Sequence, residues 1–572
     1  MVRLSLAVVL AASVAGTALA QTPAASPPGP TPFASLLLSG LHAERQRDAT
    51  IAADRFLEAL VAAPDNRDLK QRAFLAALMD GRWARAIALA GPLQTEAPFP
   101  EAALALAVEA ARSGDATALQ QALQRLEQGL GPPRGAFGPD MRRQQTRLIA
   151  IRLTRAILRA WAEGGVKSGE EEAALSDLAE PLAPFRFLHL GLIRDWKGEH
   201  DAAEAAYRSA IAAQQRPSWR LVERLAQFLE RRGRSAEAVE LYLAARAQGT
   251  DPDLVDPALA RARSGGPPPA GVTRLADGVA EGLYDLATLL QQDEAGNDLA
   301  LLLTRMALAL QPANPAAVFL LGDVLEDRGQ RLKANEVFAS IPHGVAVRWS
   351  ARLKIAANRA ELDDVDGAAT ELTALAAERP ERDDPLARLG DLYRTKERWQ
   401  EAIDAYTNAL ARIGTPTQRH WFLLFTRGIA FERSKQWPKA EADFKKALEL
   451  LPDQPMVLNY LGYSWIDQGV NLEEGKRMVE RAVELRPRDG HIVDSLGWAY
   501  YRLGDYPRAV EWLERAVELK PTEAVILDHL GDALWKVGRQ LEARFQWRRA
   551  LSFDPEPDVK QAIERKLEKG LE

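Results

Sequence analysis

One spacing recurs along most of this chain and limits what it can fold into. Leu496-Gly497, Tyr500, Ala509, Leu513, Ala516 and Pro521 return 34 residues later as Leu530-Gly531, Leu534, Ala543, Trp547, Ala550 and Pro555. The same frame stands at Gly428, Ala440, Phe444, Ala447 and Pro452, and at Gly390, Tyr393, Ala402, Tyr406 and Ala409. It is present even near the start, at Gly40, Ala52, Phe56, Ala59 and Pro64. Self-similarity at such a period marks stacked supersecondary units. Gly497 and Ala509 are small and let two helices approach; Tyr500 and Leu513 fill the space between them. Gly504-Asp505 reads as the turn, and Pro521 ends the second helix because proline cannot continue one. A lone hairpin leaves apolar surface uncovered, and stacking buries it. The expected fold is all-α, a superhelical solenoid of antiparallel helix pairs.

Clear units are expected near 33–66, 67–100, 184–217, 219–252, 281–314, 315–342, 349–382, 383–416, 421–454, 455–489, 490–523 and 524–557. Residues 101–180 are helix-compatible but degenerate, with a Gly/Pro break from Gly129 to Pro139. The run Ser264-Gly-Gly-Pro-Pro-Pro-Ala-Gly271 reads as a linker over 253–273 between an N-terminal array (33–252) and a C-terminal array (274–557). Residues 558–572 are charged and read as a capping helix. One unit carries an extra residue within Gln468–Glu473, read as a loop insertion or as an extended turn open to a partner.

The first residues read as an export signal. Arg3 precedes the apolar run Leu4–Ala15, and Ala18-Leu19-Ala20 is a small-x-small cleavage site. The run is shorter than the roughly 20 residues a bilayer span needs. Residues 1–20 are therefore expected to be removed, leaving a Pro-rich lead-in over 21–32 and a periplasmic protein. The 572-residue chain has no cysteine, which excludes disulfides, thiolate metal sites and Cys-linked lipid. Its net charge of −6 has interleaved signs, so nothing points to nucleic acid.

The repeat pattern resembles that of tetratricopeptide repeat proteins, and the resemblance implies which helix face looks into a concave binding groove. Positions 5, 9 and 12 of each first helix share a face beside the packing positions. They select Asn459, Tyr463 and Ile466, then Asp494, Trp498 and Tyr501, then Asp528, Asp532 and Trp535. Aromatic residues beside acids suit a groove for an extended or helical apolar segment with basic residues opposite Asp494, Asp528 and Asp532. A frame error of one position would instead move Trp498 into the core. No arrangement for catalysis, cofactor or metal is recognised. The seven histidines have no metal-ligand spacing, there is no nucleophile elbow or P-loop, and Gly164–Ser168 lacks the spacing of a phosphate loop. His491 and Asp494, three apart, read as a polar groove pair.

The repeat pattern resembles the tetratricopeptide repeat (TPR) family. Leu458-Asn-Tyr-Leu-Gly-Tyr463, Gly469-Val-Asn-Leu-Glu-Glu474, Asp494-Ser-Leu-Gly-Trp498, Asp528-His-Leu-Gly-Asp532 and Phe545-Gln-Trp-Arg-Arg-Ala550 follow in order. Over roughly 275–557 they resemble exported bacterial TPR proteins similar to the adaptor of a periplasmic carboxyl-terminal processing protease. The resemblance implies a non-catalytic scaffold that brings such a protease to envelope substrates. The alternative is an assembly scaffold for outer-membrane or envelope complexes. That adaptor is anchored through a lipidated cysteine, which this chain lacks. Intact-mass analysis of the exported protein is expected to give a chain beginning at Gln21; another start would refute the assigned cleavage.

Overall fold

The computed structural model describes residues 32–94, 99–130, 139–164, 169–176, 178 and 180–571. The expected signal segment 1–20 lies outside them, as do 21–31 of the lead-in, 131–138 of the Gly/Pro break and 165–168 of the glycine stretch. Among the described residues there are thirty α-helices and four short 3-10 turns. Most pair as hairpins at the spacing read above, such as Gly490–Arg502 with Tyr506–Leu519 and Ala524–Lys536 with Gln540–Leu551. The Gly504 turn has φ +83°, and Asp505 then caps the second helix by accepting from the Arg508 N–H at 3.3 Å. Pro100–Ser113 and Ala116–Gly129 form a further hairpin within the degenerate stretch. There Ala107 stands at the glycine position of the regular units and Leu123 at the position of the ring.

The chain divides into two compact units, Met1–Arg348 and Trp349–Glu572. The first unit closes on itself. Arg305 Nε donates to the Met79 carbonyl at 3.0 Å, and Lys333 Nζ reaches Asp48 and the Thr50 hydroxyl at 3.0 Å each.

The division corrects the expected array boundary, because 253–273 lies inside the first unit. Pro252–Ser264 is helix, and the Pro/Gly stretch after it is tied down. Prolines bar a helix there but leave carbonyls that need donors. Arg231 donates to the Pro269 carbonyl and Trp196 Nε1 to that of Thr273, both at 3.3 Å. The chain then enters the helix Leu275–Gln291. Its Gly278 and Gly282 pass close against Trp161 and Ile157, where no side chain would fit. Its Glu281 and Asp285 meet the guanidinium of Arg220; Arg224 adds a 2.8 Å contact to Glu281, and His189 lies 3.4 Å from Asp285. The segment 266–285 thus lies along the first helices of two repeats, Ala183–Trp196 and Trp219–Arg231, as a ligand would.

Asp285 is 8% exposed and His189 is fully buried, so removing the carboxylate leaves buried groups without their partner. Asp285→Ala is expected to cost the first unit about 3 kcal/mol, read by denaturant unfolding.

Candidate functional site

In the second unit, a cavity of about 410 Å³ runs across the first helices of four consecutive repeats: Trp421–Arg433, Pro455–Asp467, Gly490–Arg502 and Ala524–Lys536. Glu432 and Arg433 stand at one end, and Val525 and His529 at the other. Asn459, Tyr460, Tyr463, Asp467, His491 and Asp494 lie between. The hairpin contacts explain why these side chains converge. Gly428 of one first helix lies against the Phe444 ring of its second helix, and Gly497 against Leu513. That close seating turns the opposite face of each first helix inward.

Three residues of the expected row, Asn459, Tyr463 and Asp494, line this cavity. The rest do not. Ile466 is fully buried in the core with Val479 and Val493, so its assignment to the groove is corrected. Position 12 lines the cavity at Glu432, but in the next helix it is Ile466, which packs into the core between the helices. Trp498 is half-buried between helices, stacked on Tyr501 at 4.7 Å and on His529 at 4.1 Å between ring centres. Trp535 packs on Trp547 and donates to the Leu571 carbonyl at 2.9 Å.

Asp528 and Asp532 are also spoken for. The charged C-terminal segment forms the helix Pro557–Lys569, whose Lys566 Nζ lies 2.8 Å from both Asp528 oxygens and from Asp532. Trp547 Nε1 donates to the other Asp532 oxygen at 3.0 Å. The basic residue expected opposite these acids is supplied by the chain itself. His491 and Asp494 share the cavity, but the bonded partner of Asp494 is His529 of the next repeat, at 3.0 and 3.1 Å. Position 5 is thus answered from the following element at Asp528 and Asp494. At Asn459 it is not: the following helix offers Ser495, whose hydroxyl donates to the His491 carbonyl. The buried Asn459 Oδ1 has no hydrogen-bond partner among the described residues, and neither has Trp498 Nε1. Glu432 accepts from the Tyr460 hydroxyl at 3.2 Å, and the Asp467 carboxylate has Arg502 no nearer than 3.5 Å.

Sequence reasoning placed His491 in the groove as the partner of Asp494 and missed Glu432, Arg433, Tyr460, Ser464, Asp467, Ser495, Val525 and His529. Most of these share the helix face around positions 2, 6 and 13. Among the described residues no three metal-binding side chains cluster and no helix is long and apolar enough to cross a membrane.

Burial, with the Asp528 carboxylate beside it, pushes Asp532 up to about 6 against the pull of Lys566. Burial alone would lower His529, but Asp494 outweighs it and the imidazole is raised. A carboxyl raised in the folded state makes folding less favourable as pH climbs from its ordinary 3.8 to about 6. Raised His529 adds stability below its ordinary 6.5 that is lost as pH passes its folded value. Both trends run the same way. Asp532→Asn removes the first and weakens the second, because Asp532 is among the charges that raise His529, so the stability of wild type relative to this variant is expected to fall between about pH 4 and 6. Denaturant titration across that range tests this.

Comparison with known proteins agrees with the repeat frame. Tetratricopeptide repeat models match residues 196–252, 386–419 and 421–454, and a TPR repeat model matches 497–538. A TPR repeat-containing protein of Pseudomonas aeruginosa is 27% identical over 199 residues, which are 35% of this chain and 33% of that protein. The chain thus spans about a third of the length of that curated relative. Among solved structures, similarity extends to the APC/C hetero-tetramer Cut9-Hcn1, with 16% identity, a TM-score of 0.38, and coverage of 95% of this chain and 97% of that one. A tetratricopeptide repeat protein from Parabacteroides merdae shows 18% identity and a TM-score of 0.36, covering 44% of this chain and 97% of its own. The chain carries tetratricopeptide repeats and its fold is the all-α TPR superhelix.

Proposed function

We propose that this protein is a non-catalytic, protein-binding scaffold of the bacterial periplasm that brings a carboxyl-terminal processing protease to its envelope substrates. TPR repeats imply protein partners. The groove bounded by Glu432 and His529 is the surface assigned to one of them. One observation carries this reading: the groove is open and polar, with an acceptor at Asn459 that nothing in the repeat satisfies. Buried acceptors are normally paired, so a donor from outside is the natural complement. The periplasmic location rests on the leader-like residues 1–20. The protease rests on the resemblance of the C-terminal repeats to its adaptor.

The test is capture of tagged, full-length protein from its own periplasm after brief cross-linking, with an Asn459→Ala/Tyr463→Ala variant in parallel. A processing protease enriched by wild type, and reduced about tenfold by the variant, is the expected result. Envelope-assembly components recovered without any protease would assign the chain to assembly instead. Recovery unchanged by the variant would remove the groove from the account.

A further inference from the structure

The first unit holds a cavity of its own, of about 230 Å³. Its apolar walls come from Leu75 and Met79 of Arg67–Asp80 and from Leu299 and Leu302 of Asn297–Leu310. These two helices lie far apart in the chain and meet where Arg305 donates to the Met79 carbonyl. For scale, an apolar cavity of about 150 Å³ takes up benzene.

Three charged residues reach this cavity, Glu101 of Pro100–Ser113, Arg147 of Pro139–Gly164 and Asp298. Each already has its counter-charge. Arg147 Nε donates to Glu101 Oε1, and Asp298 accepts from Arg328. What remains is a single acceptor. Glu101 is 1% exposed, and its buried Oε2 has no hydrogen-bond partner among the described residues. Buried polar atoms are normally paired, and a hydrogen bond to an ionised acceptor is among the stronger ones. A further ion would find no counter-charge left in the walls to offset its desolvation. Water could meet Oε2 but would leave the leucine and methionine walls wetted, whereas a molecule with an apolar body meets both.

We infer that this cavity binds a small, uncharged, largely apolar molecule that carries one N–H or O–H group and donates it to Glu101 Oε2. The apolar body lies against Leu75, Met79, Leu299 and Leu302, so the ligand touches both of the distant helices whose meeting closes the first unit. The site shares no residue with the groove assigned to a protein partner, and it stands or falls independently of that assignment.

Isothermal titration calorimetry of the full-length protein with three probes of similar size tests this. Indole has one N–H donor, benzofuran carries an oxygen in its place, and phenethylamine is an ammonium ion at neutral pH. Indole is expected to bind about tenfold more tightly than either of the others. In Glu101→Gln the amide oxygen accepts from Arg147 and the NH2 group is left facing the cavity, so the preference is expected to pass to benzofuran. Ala295→Leu fills space from a half-buried position in the wall and is expected to abolish binding of all three, which serves if the first variant fails to fold. Equal binding of indole and benzofuran, or tighter binding of phenethylamine, would overturn the assignment of an uncharged donor. No binding of any probe at millimolar concentration, or indole binding that Ala295→Leu leaves unchanged, would show that the cavity holds water only.

Discussion

Six hairpins are closed by one contact between a glycine and a ring. Gly40 lies against Phe56, Gly191 against Tyr207, Gly322 against Phe338, Gly390 against Tyr406, Gly428 against Phe444 and Gly531 against Trp547. The partners are sixteen residues apart every time. A Cβ on any of these glycines would overlap the ring, so the ring can lie flat only because the first helix is bare there. This fixes the interhelix distance and the rotation of each first helix. Those two quantities decide which positions face the next repeat and which face the groove. The irregular hairpin with the extra residue has no such ring. There the backbones themselves approach, Gly462 against the Gly475 carbonyl, with Gly469 and Asn471 in left-handed conformations completing the longer turn.

Much of this was legible in the sequence, because the contact is local and repeats. The period, the helix pairs, the Gly504-Asp505 turn and the terminal helix all follow from residues within one unit. Asn459, Tyr463 and Asp494 were reachable in the same way. The misassignments share a cause. Positions 5, 9 and 12 form a true helix face, but one turned partly towards the neighbouring helix, so Ile466 and Trp535 became packing residues. Nothing in the repeat frame announces that Lys566 answers Asp528 and Asp532, because that pairing depends on how the last helix lands. The Pro/Gly run after Ser264 carries the composition of a free linker. Its order comes from Arg231 and Trp196, which the run itself does not encode.

The acids of the second unit show how one pattern serves two purposes. Asp528 and Asp494 meet Lys566 and His529 and tie successive elements together. The same position at Asn459 is neutral and unanswered. A carboxylate left so would carry a large desolvation cost, whereas an amide costs far less. The neutral residue stands where the groove is open.

The closure of the first unit changes what kind of object this repeat array is. A solenoid is ordinarily quasi-one-dimensional, each repeat touching only its neighbours, so that it can grow, shrink or fold from any point. Here Lys333 holds Asp48 and Arg305 holds Met79 across more than two hundred residues of chain. Contacts of that separation raise contact order and slow folding, since a long loop must close before they form. The contact between Asp48 and Lys333 can form only once residues beyond 330 are available. This part of the chain is therefore held by contacts that a strictly neighbour-to-neighbour stack lacks.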